Sequence, residues 1–496
     1  MTGLLVTGRV YSFDQGAEPF NSLLIRDGKV VELSRAPLPC RAPRLEIDEG
    51  VVVPAFLDSH VHILELGLQH IFPSFGLAHS LEEVFELLLA RRRQADEFGF
   101  LIGFNLEPDN LLEKRLPLRR ELDRVLADRP ILLYRIDGHS ASVNTRGLEL
   151  ALKDGIEDGV ELDRFRTPTG VLVGKAYEQA SRRFKRLLTA ELQVAAFHEA
   201  CLVAIGKGVL TIGALLGTDE PGDEAPELLA AQQSKLPITT VMFPQTRSIG
   251  RARKLGLTRI GGCILIDGSF GSHSAALSED YSDEPGNVGR LYFTDSELES
   301  FLHPANEAGL QTAVHAIGDR AVNQVVSCYE QFLTGNPLRH RIEHAELLDD
   351  ALIERIARLG IVLGVQPAFE HYWGGESGMY QRRLGDRHRR TNPYRQLLDA
   401  GVILAGGSDA PITPVDPVMG ILAAVNLPVS EHRVTALEAC RMFTDRAAFS
   451  LGLESSKGSL TPGHDADFVV LSGNPLQSDE FAVRRVFRGG VELPRQ

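Results

Sequence analysis

Apolar strand-like runs that alternate with helical segments constrain the fold of this chain more than any other feature. Eight such runs follow one another in the order AFLDSHVH, GVLTIGALLG, LPITTVMFP, GGCILIDGSFG, LQTAVHAIGD, RIEHAE, GIVLGVQPA and GVILAGGSDAP. Between them lie amphipathic segments such as DALIERIARLG, whose apolar residues recur at three-and-four spacing. Alternating strands and helices build a parallel sheet buried on both faces. About eight units predict an α/β fold with a (β/α)8, TIM-like barrel.

The two ends of the chain carry shorter strands of a different kind. Alternating runs separated by Gly and Asp turns in the first fifty residues, and again in GSLTPGHDADFVVLSGNPL and VRRVFRGGVEL, predict a composite β-sandwich from 1–50 and 455–496. The barrel is predicted over 51–69 and 206–454. The long connection 70–205 holds strands and helices of its own, and it predicts an α+β insertion domain that serves as a lid or substrate domain.

Charge and cysteine usage limit the partners. A formal net charge of -14 argues against nucleic acid or an anionic membrane as a partner, because like charges repel. The five cysteines are scattered without a CxxC pair, which predicts a reducing, cytoplasmic compartment. No signal peptide and no apolar run of membrane-spanning length is expected. The expected partner is a small-molecule substrate, with a homodimer as the working hypothesis for oligomeric state.

Two histidines at the end of the first barrel strand suggest a metal site. His60 and His62 are two residues apart on a strand, so their side chains project from the same face. Alone, such a pair is equally well explained by ordinary hydrogen bonding or exposure. However, His315, His344 and Asp409 also end apolar runs, and the carboxyl ends of barrel strands meet at one mouth. Histidines with a carboxylate are a typical ligand set for a divalent ion such as zinc.

Motifs over nearly the whole chain resemble one enzyme superfamily. They are PAFLDSHVH, RPILLYRIDGHSASVN, PTGVL, IDGSFGSHSAAL, VHAIGDRAV, HRIEHAE, VQPA, GSDAP and GSLTPGHDADFVVL, in this order. This set resembles the amidohydrolase superfamily, within it the amidohydrolase 3 or YtcJ-like group, which is similar to N-substituted formamide deformylases. The resemblance implies a TIM-like barrel, a small β-sandwich, an insertion after the first strand, and hydrolysis of a C–N bond at a metal centre.

The resemblance also implies roles for five residues. His60 and His62 match the ligands of the first strand, His315 that of the fifth and His344 that of the sixth. Asp409 matches the general base on the eighth strand, which also touches the metal. A divalent ion lowers the pKa of bound water to roughly 7, so that a nearby carboxylate can take its proton and pass it to the leaving nitrogen. One ion, with zinc as first choice, is expected.

The sequence departs from the family pattern at one position. Cys263 stands where many relatives have a fourth-strand lysine that bridges two metals. It is either a thiolate ligand or a buried structural cysteine. Lys175 is either a bridging group from the insertion or a surface lysine, and a second ion is expected only if Cys263 or Lys175 serves as a ligand. His139, His273 and Gln366 are expected to contact substrate.

Three more charged residues are expected to support the ligands. Arg341 and Glu343 alternate with His344 along a strand, so they point away from it and are predicted to form a buried pair or to orient neighbours. Asp58 precedes His60 by two residues. It is predicted to hydrogen-bond a ligand histidine and fix its tautomer.

The sequence therefore predicts a metal-dependent amidohydrolase that cleaves a non-peptide C–N bond in an amide, formamide or related compound. One alternative is a deaminase of the same superfamily that acts on a heterocyclic amidine. An alternative of another class is a non-catalytic scaffold that has lost its metal. The survival of all four histidines and of Asp409 argues against this scaffold. The substrate, the native metal and the oligomeric state are left open by the sequence.

Overall fold

The computed structural model describes residues 3–136, 138, 140–153, 155 and 158–494. The chain forms two compact units. The first comprises Met1–Ile63 and Cys201–Gln496, and the second comprises Leu64–Ala200. The four histidines, Cys263 and Asp409 all belong to the first unit.

Strands are numbered in chain order over the described residues. They are β1 (Gly3–Val10), β2 (Phe20–Arg26), β3 (Lys29–Ser34), β4 (Arg44–Glu46), β5 (Val51–Pro54), β6 (Phe56–His62), β7 (Leu101–Leu106), β8 (Ile131–Arg135), β9 (Ser140–Val143), β10 (Val160–Leu162), β11 (Pro168–Val173), β12 (Val209–Leu216), β13 (Thr239–Pro244), β14 (Arg259–Leu265), β15 (Gln311–Ala316), β16 (Arg341–His344), β17 (Val362–Val365), β18 (Leu404–Gly406), β19 (Phe468–Leu471), β20 (Val483–Arg488) and β21 (Val491–Leu493).

Helices are numbered in the same way. They are α1 (Ile63–Ile71), α2 (Leu81–Ala90), α3 (Arg92–Phe98), α4 (Arg119–Val125), α5 (Thr145–Ala151), α6 (Gly174–Lys185), α7 (Ala190–Gly206), α8 (Ala225–Gln232), α9 (Ile249–Lys254), α10 (Asp295–Glu307), α11 (Asp319–Glu330), α12 (Asp350–Leu359), α13 (Pro367–Trp373), α14 (Met379–Leu384), α15 (Tyr394–Asp399), α16 (Pro417–Val425), α17 (Ala436–Met442) and α18 (Asp445–Ser450).

Both ends of the chain contribute to one sheet. Its strand order is β21-β20-β19-β5-β1-β2-β3, with β4 paired to β1. Strand β5 runs antiparallel to β19, so that Val52 faces Val470. The rings of Phe468 and Phe487 stack at 4.3 Å within the apolar cluster of this sheet. Burial of these alternating apolar side chains joins the two chain ends. The predicted sandwich and the predicted three-part domain bounds stay predictions.

Among its described residues, the rest of the first unit contains eight parallel strands together with helices α8 to α18. The strands lie in two ladders, β13-β12-β6 and β14-β15-β16-β17-β18. Neighbours within each ladder are parallel and follow their order along the chain. Backbone hydrogen bonds from Asp409 to His60 and from His62 to Ala410 join the end of β6 to the segment after β18. The expected mixed α/β architecture is therefore present, and closure into one barrel stays a prediction.

The apolar run before the two histidines is divided between two sheets. Pro54 has no N–H group to continue a ladder, and β5 ends there. The N–H of Ala55 donates to the carbonyl of Asp467, whereas the next N–H, of Phe56, donates to the carbonyl of Gly208 beside β12. The chain thus leaves the terminal sheet at Ala55 and enters the parallel ladder. This change of partners puts the histidines at the carboxyl end of β6.

Helix α12 illustrates how local sequence sets the elements that surround the ladders. The side chain of Asp349 accepts a hydrogen bond from the N–H of Leu352 and so caps the first turn. Gly360 ends the helix in the left-handed conformation, at φ 70°, which glycine adopts without steric cost. Its buried face is formed by Leu352, Ile353, Ile356 and Leu359. The three-and-four spacing seen in the sequence is therefore the buried face of this helix.

The second unit has a sheet of its own. The strand order is β10-β11-β9-β8-β7, in which β7 and β8 are parallel and the other pairs are antiparallel. Helices within Leu64–Ala200 complete an α+β unit. Among the described residues, no single helix has the length and apolar character needed to cross a membrane. Only α6 and α7 taken together, with a bend of 100° between them, pass that test.

Candidate metal centre

The candidate ligands stand at or near the carboxyl ends of parallel strands. His60 and His62 end β6, Cys263 lies near the end of β14, His315 lies in β15 and His344 ends β16. Asp409 follows β18 by three residues, and its N–H donates to the carbonyl of His60. Parallel strands bring such ends to one edge. Side chains from distant parts of the sequence therefore meet here.

Two histidines converge on one carboxylate oxygen. The Nε2 atoms of His60 and His62 lie 3.0 and 3.1 Å from the same Oδ1 of Asp409. Among the described residues, neither the Nε2 of His60 nor this Oδ1 makes a hydrogen bond, although both atoms are buried. Buried polar atoms usually have partners. Close approach without hydrogen bonding is the arrangement expected of donor atoms that share a cation, so these residues fit a divalent metal ion.

A thiol lies beside the other two histidines. The Sγ of Cys263 is 3.8 Å from Nδ1 of His315 and 3.9 Å from Nε2 of His344. For comparison, a nitrogen and a sulfur bound to one tetrahedral zinc ion are about 3.6 Å apart, from Zn–N and Zn–S lengths of about 2.1 and 2.3 Å. His60, Cys263 and His344 also form a group whose ligand atoms lie within 4.8 Å of one another. Cys263 is thus part of the cluster.

Outer contacts decide which nitrogen each imidazole presents to the centre. The Nδ1 of His60 donates to Glu343 Oε2 at 2.7 Å, and the Nδ1 of His344 donates to Gln366 Oε1 at 2.8 Å. For His315 the order is reversed, since its Nε2 donates to the carbonyl of Gly268 at 3.1 Å. An imidazole with one N–H committed outward keeps a lone pair on the other nitrogen. His60 and His344 therefore present Nε2, whereas His315 presents Nδ1.

The carboxylate behind His60 is itself held by an arginine. Arg341 Nε lies 2.8 Å from Glu343 Oε1, and an Nη of Arg341 donates to Oε2 at 2.9 Å. Arg341 also donates to the carbonyl of Ser59. Burial opposes ionisation of Glu343, but the charges of Arg341 and His60 keep its pKa below the ordinary value. Both predicted functions of this pair, mutual pairing and orientation of a neighbour, are present.

Electrostatics in the centre favour anionic oxygen and sulfur. Burial alone would lower the pKa of His60, but the charges of Asp409 and Glu343 hold it well above the ordinary value. Burial also opposes protonation of His62, yet the nearby Asp409 and Cys263 raise its pKa to about 9. Against the effect of burial, the surrounding imidazoles hold the pKa values of Asp409 and Cys263 well below the ordinary ones. A carboxylate and a thiolate among imidazoles suit a divalent cation.

The backbone is strained at two ligands. His344 has φ 73° and Asp409 has φ 56°, and Ala345 also lies in the left-handed region at φ 48°. Residues with a Cβ atom adopt this region at a steric cost, and such outliers cluster at functional sites. Here the strain accompanies the turns that direct these side chains into the centre.

Gln366 and Asp58 both hold parts of the centre in place. The predicted contact of Gln366 with substrate stays a prediction; in the structure its Oε1 accepts from Nδ1 of His344, so its side chain orients a ligand. Asp58 was predicted to fix a histidine ring. Instead its Oδ1 accepts from the backbone N–H groups of His60 and Ser408, and burial raises its pKa to about 6. Asp58 therefore fixes the backbone that carries His60, because the ring is already held by Glu343.

The remaining predicted residues contribute less. His273 lies 3.0 Å from Asp283 through Nε2 and 3.4 Å from Glu284 through Nδ1, so its ring nitrogens face carboxylates. Lys175 is an exposed lysine of the second unit that pairs with Asp158. Its predicted role as a bridging ligand gains no support. His139 lies outside the described residues, and its predicted substrate contact stays a prediction.

Two neighbours of the ligands gave no signal in the sequence. The carbonyl of Gly268 accepts from His315, and a carbonyl group has no sequence signature. The ring of Phe369 in α13 stacks on His344 at 5.9 Å, with an interplanar angle of 12°. The aromatic pattern of α13 is typical of an ordinary buried helix face, so it did not single out this residue.

Comparison with known proteins gives one family over most of the chain. The model of the Amidohydrolase family known as Amidohydro_3 matches residues 47–492. The Bacillus subtilis protein YtcJ, whose name assigns it to the amidohydrolases, is 31% identical over 470 residues, which cover 88% of this chain and 86% of its own length. The N-substituted formamide deformylase of Arthrobacter pascens is 25% identical over 98% of this chain and 97% of its own.

Solved structures agree with this assignment. A crystal structure from Pyrococcus furiosus, described as an uncharacterized metal-dependent hydrolase, is 27% identical to this chain and has a TM-score of 0.81. The match covers 96% of this chain and 100% of that protein. The fold is thus shared with a protein described as a metal-dependent hydrolase.

Proposed function

This chain belongs to the amidohydrolase family and is accordingly a metal-dependent hydrolase, and from that premise we propose that it cleaves a non-peptide C–N bond in a small molecule. The bond is that of an amide, a formamide or a related compound. The proposal is supported by the Arthrobacter pascens relative, an N-substituted formamide deformylase, which aligns over 98% of this chain.

One observation carries the proposal. His60 and His62 approach the same oxygen of Asp409 at 3.0 and 3.1 Å, and the oxygen accepts no hydrogen bond from the described residues. A divalent cation held there, with zinc as the ion that best suits the donors, supplies Lewis acidity that polarises the scissile carbonyl and acidifies water. We infer that His60, His62, His315 and His344 hold it together with Asp409.

Asp409 is proposed to move the proton. Its Oδ1 faces the two histidines, which leaves Oδ2 to take a proton from the attacking water and deliver it to the departing nitrogen. The imidazoles hold the pKa of this carboxyl well below its ordinary value, so it is ionised over the neutral range. Its N–H donates to the carbonyl of His60, which fixes the carboxylate relative to the ligands.

The same reasoning extends to the fold. We infer that the two parallel ladders close into one (β/α)8 barrel. The hydrogen bonds from Asp409 to His60 and from His62 to Ala410 support closure on one side. On the other side, the side-chain amide of Gln245 donates to the carbonyl of Cys263 at 3.5 Å. The cytoplasmic location and the homodimer stay predictions.

A deaminase of a heterocyclic amidine is the alternative within the superfamily. It would use the same ligands and the same proton transfer, so the metal centre does not separate the two reactions. The products do, because deamination releases ammonia whereas deformylation releases formate and an amine. The non-catalytic scaffold has less support, since all four histidines and Asp409 converge on one centre.

The test is a hydrolysis screen on purified protein loaded with zinc. N-substituted formamides, simple amides and cyclic amidines are supplied in turn, and formate, amine and ammonia are measured. We expect turnover that falls by at least about 100-fold in Asp409→Asn, because the variant loses the proton acceptor. The matched control is Asp386→Asn, a change at an exposed aspartate of the first unit. Ammonia from the amidines alone would favour the deaminase. A protein that binds no metal would contradict the proposal.

A further inference from the structure

A single sulfur atom lies among the imidazoles of the centre. The Sγ of Cys263 approaches Nδ1 of His315 at 3.8 Å and Nε2 of His344 at 3.9 Å, and it also shares a ligand group with His60. A cysteine with a purely structural role would present its sulfur to apolar neighbours. Cys263 belongs to an apolar cluster with residues such as Leu57 and Phe243, but its sulfur also approaches the nitrogens of His315 and His344 that make no outer hydrogen bond.

The centre contains more donors than one ion can use. Six side chains offer one donor atom each: His60, His62, Cys263, His315, His344 and Asp409. A catalytic zinc ion takes three protein ligands and keeps one position open. Six donors are therefore enough for two ions, and if one donor is shared, one ion has three protein ligands and the other has four; two-metal sites are common in hydrolytic enzymes.

The donors also divide into two groups in space. His60, His62 and Asp409 form one group within 4.8 Å of one another, and Cys263 joins His60 and His344 in a second group. The sulfur additionally reaches His315. Cys263 thus lies on the boundary between the β6 histidines and the histidines of β15 and β16. A group in that position touches both ions if two are bound.

We propose that the thiolate of Cys263 bridges two divalent cations in this centre. The proposal rests on the proposed function and replaces the expectation of a single ion. A thiolate has lone pairs enough for two ions, and metal binding releases the thiol proton to solvent. Because thiolate is a soft donor, the centre is expected to prefer zinc or cobalt to magnesium or manganese.

Metal content and cobalt spectroscopy test the bridge without relying on activity. Wild-type protein is freed of metal with a chelator and titrated with Co²⁺, while bound metal is measured by elemental analysis. We expect two ions per chain and a sulfur-to-cobalt charge-transfer absorption in the near ultraviolet that rises with both the first and the second equivalent. Cys263→Ser should lose this absorption and at least one ion. Cys328→Ser, at a buried cysteine of α11, is the matched control and should keep both.

The other outcomes overturn the bridge in distinguishable ways. One ion without sulfur absorption would leave the proposed function standing and make Cys263 a structural cysteine. Absorption that is complete at the first equivalent would make Cys263 a terminal ligand of one ion. Absence of any bound metal would overturn the proposed function itself. If Cys263→Ser fails to fold, the titration of the wild-type protein still decides, because it needs no variant.

Discussion

His340 makes the stability of the first unit depend on pH. This histidine is buried immediately before β16, where burial lowers its pKa from 6.5 to about 4. Its Nδ1 accepts hydrogen bonds from the N–H and the hydroxyl of Thr312, at 3.0 and 2.7 Å, and its Nε2 donates to Asn306 at 3.0 Å. A proton on Nδ1 would therefore face a donor. As pH falls, the unfolded chain binds this proton first, so stability is lost between pH 6.5 and 4.

The magnitude follows from linkage. A pKa lowered from 6.5 to about 4 corresponds to about 3 kcal/mol in full, at roughly 1.4 kcal/mol per pH unit. Between pH 7 and pH 5 the wild-type protein should lose about 2 kcal/mol through this group alone. His340→Gln should be less stable than wild type at pH 7 by about 1 to 3 kcal/mol, because buried partners lose their hydrogen bonds. It should lack this part of the pH dependence.

The assay is equilibrium urea unfolding at pH 7 and pH 5, followed by circular dichroism. The difference in unfolding free energy between wild type and His340→Gln should shrink by about 2 kcal/mol at the lower pH. His371→Gln, the same substitution at an exposed histidine of α13, is the matched control. A constant difference for His340→Gln would refute the reasoning.

Three further predictions concern the metal centre. Glu343→Gln should weaken metal binding about 10- to 100-fold, because the partner of His60 loses its charge; competition with a chelator measures this, and unchanged affinity would contradict it. Gln366→Leu should lower metal affinity by a similar factor, because the ring of His344 loses its hydrogen-bond partner. A change in substrate KM with unchanged metal affinity would instead mean that Gln366 binds substrate. Gly407→Ala should displace His60, since a Cβ at position 407 would lie 2.8 Å from the Cβ of His60. The variant should therefore have a lower melting temperature and less bound metal than wild type, and wild-type values of both would refute this.

The sequence was most informative about the ligands. Apolar runs end at the histidines His60, His62, His315 and His344, and this pattern is visible in the sequence. It indicates a site because both faces of a parallel strand are buried, whereas its carboxyl end can present polar side chains to a ligand. The alternation of strands and helices likewise predicted mixed α/β architecture, and the spacing in α12 predicted its buried face. These are properties of neighbouring residues, which one sequence displays directly. The roles of the ligands still await the metal measurements proposed above.

The sequence was less informative where contacts join distant segments. Gln366 follows β17 as a substrate-binding residue would, but its partner is His344, 22 residues earlier. Asp58 has the parity expected of a residue that holds a ring, yet Glu343, far along the chain, already holds that ring. Spacing along the chain cannot tell whether Asp58 or Glu343 holds the ring of His60. Only the positions of the two carboxylates in the folded protein decide which one does.

By itself, then, the sequence determined the family, the strand ends and the residue types available for a divalent ion. The tertiary structure decided which nitrogen each histidine presents, that Pro54 ends one sheet and Phe56 begins another, and that the sulfur of Cys263 lies beside the imidazoles of His315 and His344. The physical reason is the separation along the chain over which each kind of interaction acts. Periodicity and turn chemistry act over a few residues, whereas hydrogen-bond geometry in the centre depends on strands separated by hundreds of residues.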